Sequence, residues 1–271
     1  MGHMKQALIL VVLIVILVPA ALVLAGVAFE NTTVRTHTFP GPIDEIVVRS
    51  DSGDVEFVPA RGRSVAVRET QHYLFEEPTL ERDVEAGVLT LEARCEATFV
   101  SCVSDLRVSV PPGAVVRLES DSGDVQARGI DVREARLQSD SGDMRLELRG
   151  RQRLVRAHAN SGDVDVVTRD ARDIDVQADS GDIVVTTRGA RDIDAQTDSG
   201  DVVVAVSGLP RRILAATDSG DVRVVVPAGE YGVCAETDSG DVKVDGISRI
   251  DRAARSIQAR TDSGDVTLNG R

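Results

Sequence analysis

Apolar and polar residues alternate with a period of two along most of this chain, and one short polar motif interrupts the alternation at regular intervals. Ahead of Asp198-Ser199-Gly200-Asp201, the residues Ile193, Ala195 and Thr197 share one face while Asp194 and Gln196 take the other. Behind it, Val202, Val204 and Val206 share a face, with Val203 and Ala205 opposite. The same phase fits Leu137 and Ser139 with Met144, Leu146 and Leu148, and Ile257, Ala259 and Thr261 with Val266 and Leu268. Period two on both sides of a Gly-containing turn predicts two strand segments per repeat. A second corner, such as Arg188-Gly189-Ala190-Arg191-Asp192, then leads into the next repeat.

The motif DSGD, or a one-letter variant, begins at Asp51, Asp121, Asp140, Asn160, Asp179, Asp198, Asp218, Asp238 and Asp262. From the second copy onward the steps are 19, 20, 19, 19, 20, 20 and 24 residues. A near-fixed period of this length is the mark of a stacked array in which no repeat buries its apolar face alone. The expected fold is all-β, a single-stranded β-solenoid or β-helix with rungs of ~19–20 residues, preceded by one N-terminal transmembrane helix. Its divisions are residues 1–29, a short cytoplasmic end plus anchor, and 30–42, a polar linker containing Pro40-Gly41-Pro42. Residues 43–110 follow as the N-terminal β part with an insert, and 111–271 as the regular repeats. In the insert, 64–70, 88–93 and 106–110 alternate like strands, at the end of the array where an exposed sheet edge is usually covered. At the other end the last strand, closing on Leu268-Asn269-Gly270-Arg271, has no visible cap and is expected to stay exposed.

The anchor is inferred from residues 7–28, an apolar run without charge preceded by Lys5. Such a run spans about 33 Å as a helix, enough for a hydrocarbon layer of ~30 Å. Gly26 and Ala28 are compatible with a signal-peptide cleavage site, although the run exceeds the usual signal core. Either reading exports the remainder, and Lys5 before the span with Glu30 after it favours the N-terminus inside. The expected location is therefore a cell membrane, single-pass, with the C-terminal domain extracytoplasmic.

The repeated turn has a structural rationale. Its first Asp can close an Asx turn, its Gly supplies positive φ, and the residue before it is always Ser, Ala or Thr, small enough for a narrow corner. The carboxylates need more. Stacked at ~4.8 Å, like charges repel by about 1 kcal/mol in water and more near protein. Amide hydrogen bonds, arginines or a cation could compensate them. A calcium ladder on Asp121, Asp140, Asp179, Asp198, Asp218, Asp238 and Asp262 is the cofactor considered, with Asx turns alone as the default; the Gly-rich nonapeptide of calcium-binding solenoids is absent.

The formal charge is −13, from 44 acidic and 31 basic residues. The nine motifs hold 17 carboxylates, and setting them aside leaves 27 acids against 31 Lys and Arg. The opposite corner carries Arg128, Arg133, Arg149, Arg151, Arg153, Arg169, Arg172, Arg188, Arg191, Arg211 and Arg212. One edge of the rod is thus acidic and the other arginine-bearing. Arg188, Arg191, Arg211 and Arg212 are the candidate contacts for an anionic envelope polymer, a protein partner or the acidic edge of a neighbouring rod. The competing reading is a solvated corner whose arginines pair with Asp170, Asp173 and Asp192.

No catalytic constellation is present. A polysaccharide-acting β-helix enzyme is the alternative class, but acid and base carboxylates need unlike environments, and near-identical turns provide like ones. There is no Trp, and no aromatic between Phe99 and Tyr231. His3, His37, His72 and His158 are scattered, with His158 on an outward phase. Acidic balance and missing aromatics oppose nucleic-acid binding. Among the cysteines, Cys95 and Cys102 are seven apart and expected to form a disulfide in an exported chain. Cys234 remains over on an outward position.

The apolar N-terminal segment, the strand ending VVRSDSGDVEF, the divergent insert and the VSVPPGAVVRLESDSGDV passage introducing serial SGD units resemble the putative-adhesin family of bacterial envelope proteins, over residues 43–270. The resemblance implies an extracytoplasmic β-solenoid of unassigned function. The expected role is a non-enzymatic structural, adhesive or interaction module anchored at the cell envelope, with a calcium-stabilised rod as a further alternative.

Overall fold

The computed structural model describes residues 31–95, 102–251 and 253–271, and every regular element in them is a β-strand. The apolar run at 7–28 lies outside the described residues, among which no helix is long and apolar enough to cross a membrane.

In chain order the strands of the N-terminal part are β1 (Asn31–Phe39), β2 (Glu45–Ser50), β3 (Val55–Pro59), β4 (Val65–Tyr73), β5 (Thr79–Glu85), β6 (Val88–Arg94), β7 (Cys102–Val110) and β8 (Ala114–Ser120). Four long strands follow: β9 (Val125–Ser141), β10 (Met144–Ser161), β11 (Val164–Ser180) and β12 (Ile183–Ser199). The rest are β13 (Val202–Val206), β14 (Arg212–Ser219), β15 (Val222–Val226), β16 (Gly229–Ser239), β17 (Val242–Asp245), β18 (Ile247–Arg249), β19 (Ser256–Ser263) and β20 (Val266–Gly270).

Each long strand is one rung. It leaves a DSGD turn, runs along one sheet, bends round the arginine corner and returns along the facing sheet to the next turn. Neighbouring rungs are parallel and in register, for example Val164↔Ile183, Asp170↔Gly189 and Ile174↔Ile193, so the ladder continues through the corner. The alternation read from sequence is the burial pattern of the strands. Ile183, Val185, Ile193 and Ala195 are fully buried between the two sheets, and Thr187 nearly so. The filling is overwhelmingly Val, Ile, Leu and Ala, whose branched side chains suit a pleated surface. Phe57 and Tyr231 are the largest buried side chains, and the Tyr231 hydroxyl donates to Pro227 O at 3.1 Å.

Rung order departs from chain order at both ends. β14 pairs with β12 on one side and with β19 on the other, and β19 pairs in turn with β16. The Asp262 turn therefore sits between the Asp218 and Asp238 turns. The last strand is not exposed, as its sequence suggested: β20 lies between β15 and β17, with Val266 and Leu268 fully buried. The outermost rung is β16–β17, where Val242 is 43 % exposed. The N-terminal end mirrors this, because β2 lies between β6 and β8, and β3 between β7 and β9. Both terminal rungs thus gain two neighbours instead of one.

The insert closes the N-terminal end. β4 runs antiparallel to β7, β1 antiparallel to β4, and β5 antiparallel to β6. Residues 31–39, the first part of the expected polar linker, are consequently a strand; β1 presents Thr33, His37 and Phe39 inward in a short alternation too polar to read as a strand by itself.

Candidate interaction edges

At every DSGD turn the Gly has positive φ, as in Gly200 at +136°. A Cβ there would stand 2.2 Å from the carbonyl oxygen of Gly181, the equivalent residue one rung earlier. Glycine is required twice, for conformation and for the distance between turns. Amide and carbonyl groups then join adjacent turns: Gly181 N donates to Ser199 O, and Ile183 N to Asp201 O.

The two Asp columns are not equivalent. The second Asp of each motif except that of the outermost rung, Asp241, accepts through Oδ1 a hydrogen bond from the backbone N–H of the second Asp of the next rung. The chain of donors runs Asp124 to Asp54, Asp143 to Asp124, Asp163 to Asp143, Asp182 to Asp163, Asp201 to Asp182 and Asp221 to Asp201, at 2.8–3.0 Å. It passes through the displaced rung by Asp265 to Asp221 and Asp241 to Asp265. Its base is Asp105, outside any DSGD motif, which accepts from Asp54 N at 2.9 Å. These charge-assisted bonds are the compensation that the inner carboxylates need.

The first Asp column is the outer one. Among the described residues no turn amide donates to the first Asp of its own turn, so the expected Asx turn does not hold the bend. Asp51 accepts from Cys95 N, Asp140 from Asn160 Nδ2, and Asp262 from Arg260. The remaining outer carboxylates face solvent. The positions considered for calcium stand one per rung in single file. Among the described residues no three His, Cys, Asp or Glu side chains gather as for a metal ion.

The small residue before the turn points inward. Ser139 Oγ donates to Ser141 O within its own turn, whereas Thr217 and Thr261 reach the Gly200 and Gly220 carbonyls of the preceding rung at 2.9 Å.

At the opposite corner some arginines pair with the neighbouring Asp side chains, Arg191 and Arg211 of the four named contacts among them, and others do not. Arg211 grips Asp192 with Nε and Nη2 at 3.0 and 2.9 Å, and Arg191 lies 3.6 Å from the same carboxylate. Arg151 pairs with Asp170 at 2.8 Å and Arg172 with Asp173 at 3.6 Å. Arg133, Arg149, Arg169, Arg188 and Arg212 are exposed, and among the described residues none has an acidic group within salt-bridge distance. A shallow depression of about 500 Å³ opens on this edge, lined by Arg172, Arg191, Leu209, Arg211 and Arg255, with Leu209 55 % exposed.

One buried carboxylate was not visible in the pattern. Burial pushes Glu134 up, but the hydrogen bond from Arg153 and the charges of Arg136, Arg153 and Arg117 outweigh it and hold Glu134 below the usual range. Cys95 and Cys102 are joined, with Cα atoms 5.8 Å apart. Cys234 is free and exposed, and its thiol lies 3.3 Å from Glu236 Oε1. That hydrogen bond, partial burial and the Glu236 charge raise its pKa.

The described residues form a two-sheet solenoid with an acidic turn edge and an arginine edge, the fold of a repeat scaffold. The chain belongs to the Toastrack DUF4097 family, a domain of unknown function, whose profile matches residues 43–269. No curated protein matches. Among solved structures, the chain is similar to a putative adhesin from Bacteroides fragilis, with 11% identity, a TM-score of 0.53, and coverage of 89% of this chain and 97% of that one. It is also similar to a putative adhesin from Parabacteroides distasonis, at 13% identity and TM-score 0.42, and to a putative lipid-binding protein from the same organism, at 15% and 0.40; each covers 89% of this chain and 97% of its own. At 11% identity the likeness to the Bacteroides fragilis structure shows the fold alone.

Proposed function

We propose that this chain is a membrane-anchored, extracytoplasmic solenoid acting without catalysis as an adhesive or interaction module, its arginine edge contacting an anionic polymer of the cell envelope. The carrying observation is the set of exposed, unpaired guanidinium groups at that corner: Arg169 and Arg188 in register on adjacent rungs, Arg149 at the bulge beside Arg169, and Arg133 and Arg212 on the flanking rungs at positions further round the same corner. A linear polyanion running along the rod meets Arg149, Arg169 and Arg188 at the rung spacing of ~4.8 Å, with Arg133 and Arg212 to the side of that line. Anchoring is supported by residues 7–28 and export by the disulfide-bonded pair. The non-catalytic reading is supported by the sameness of the turn carboxylates.

The test is co-sedimentation of the full chain with isolated cell envelopes, for wild type and for R149E/R169E/R188E/R212E. The reversed edge should release the protein at low salt while leaving its unfolding midpoint unchanged. Equal retention of both proteins would sink the proposal. R191E/R211E serves as the comparison, since those arginines are already engaged with Asp192.

A further inference from the structure

Each of the five rungs that carries an unpaired arginine at one edge carries an outer motif residue at the other. Reading along the strands, Arg133 shares its rung with Asp140, Arg149 with Asn160, Arg169 with Asp179, Arg188 with Asp198, and Arg212 with Asp218. Four of the five outer residues are carboxylates, and Asp179, Asp198 and Asp218 are exposed with no cation within salt-bridge distance among the described residues. The two edges face away from each other, separated by the width of the sheets, so among the described residues no arginine of that corner reaches an outer Asp of its own chain. The outer motif residues stand in register, and on the arginine edge Arg169 and Arg188 do too, with Arg149 at the bulge beside Arg169 and Arg212, in register with Asp192, further round the same corner; each edge thus offers one such group per rung.

From this we infer that the arginine edge, besides contacting the envelope polymer, docks the acidic turn edge of a second copy of the chain, lying alongside in the same orientation. The inference rests on the reading of the arginine edge as a contact surface. A sideways translation without axial shift sets Arg169 and Arg188 of one rod opposite Asp179 and Asp198 of the next, with Arg212, further round the corner, on the rung of Asp218. The repeat makes all these pairs meet at once. The contact is heterologous, one edge against the other, so it leaves both outer edges free and continues into rows of parallel rods. On a membrane, anchors at one end would hold the rods in the orientation that the contact needs. Like-charge repulsion within each row, stacked at the rung spacing, is relieved on both sides by the same contact.

The experiment is sedimentation velocity of the full chain in a nonionic detergent at low and high sodium chloride, with long-chain polyphosphate as a separate polyanion probe. The variants are R169Q/R188Q/R212Q and D179N/D198N/D218N, the latter conservative because Asn160 already occupies the equivalent position. Wild type should form concentration-dependent larger species at low salt that dissolve at high salt. Either triple variant should weaken association by about tenfold, as expected for three exposed ion pairs, and the combined variant no further, because both remove one contact. Polyphosphate binding should fall only in the arginine variant. A wild type that stays monomeric at low salt, or association that survives D179N/D198N/D218N, overturns the self-contact. If polyphosphate binding still depends on the arginines, the edge reading survives that failure; if polyphosphate does not bind either, both fall.

Discussion

Removing the two carboxylates of a single motif should have opposite consequences. Asp201 Oδ1 accepts the Asp221 amide at 2.8 Å, while among the described residues the exposed Asp198 accepts no hydrogen bond. In Asp201→Ala the Asp221 N–H loses a charged acceptor. A hydrogen bond to a charged group contributes ~1.5–3 kcal/mol, and the exposure of the turn, where water replaces the acceptor, places the loss near the lower end. Relief of repulsion from the neighbouring carboxylates returns up to about 1 kcal/mol. The net expectation is a destabilisation of about 1 kcal/mol. Asp198→Ala forfeits no bond and gains the same relief, so it should be neutral or slightly stabilising. Asp201→Asn, which retains a neutral acceptor, should fall between them. Urea midpoints give the stability difference, and amide exchange at Asp221 reads the broken bond directly, with protection lost in Asp201→Ala alone. Equal effects at the two positions, or a larger loss at Asp198 as an Asx turn requires, would refute the ladder.

Gly200→Ala, which sets a Cβ 2.2 Å from a backbone oxygen at a φ of +136°, should cost more than about 3 kcal/mol or prevent folding; Gly62→Ala, with open space around it, should not shift the thermal midpoint. Glu134 is held below its usual pKa, so its stabilisation is present above the unfolded-state value and lost as pH falls through the lower folded-state value. The midpoint gap between wild type and Glu134→Gln should accordingly close in acid, and a gap constant down to pH 2 would contradict the assigned charges. Cys234, held protonated by Glu236, should react with iodoacetamide more slowly than a free thiol at pH 8, and Glu236→Gln should accelerate it.

The solenoid was legible because its physics is local. Period two around Asp198-Ser199-Gly200-Asp201 fixes which residues turn inward, and burial at Ile193, Val202 and Val204 follows that phase. Both corners and their opposite charges were legible for the same reason. Rung order was not, since identical motifs are interchangeable in a ladder; the 24-residue step before Asp262 and the 70-residue gap between Asp51 and Asp121 were its only traces. Asp105 lacked the flanking Gly that marks its counterparts, although Ser104-Asp105-Leu106 preserves the motif's Asp followed by an inward aliphatic residue. The division of labour between the two Asp columns was hidden too, because it depends on where the next rung's amide points. Glu134 on an otherwise outward position became a buried ion cluster through Arg136 and Arg153, neighbours known only once rungs are stacked.

The central claim is that the unpaired arginines form the working edge. Its most direct test is the salt concentration that releases the full chain from isolated envelopes, measured for wild type and for single reversals at Arg169, Arg188 and Arg212. The account predicts that each reversal lowers the release point by a similar step and that the steps accumulate along the row. Release points that do not move, or that move equally for Arg→Glu changes on the sheet faces, would contradict it.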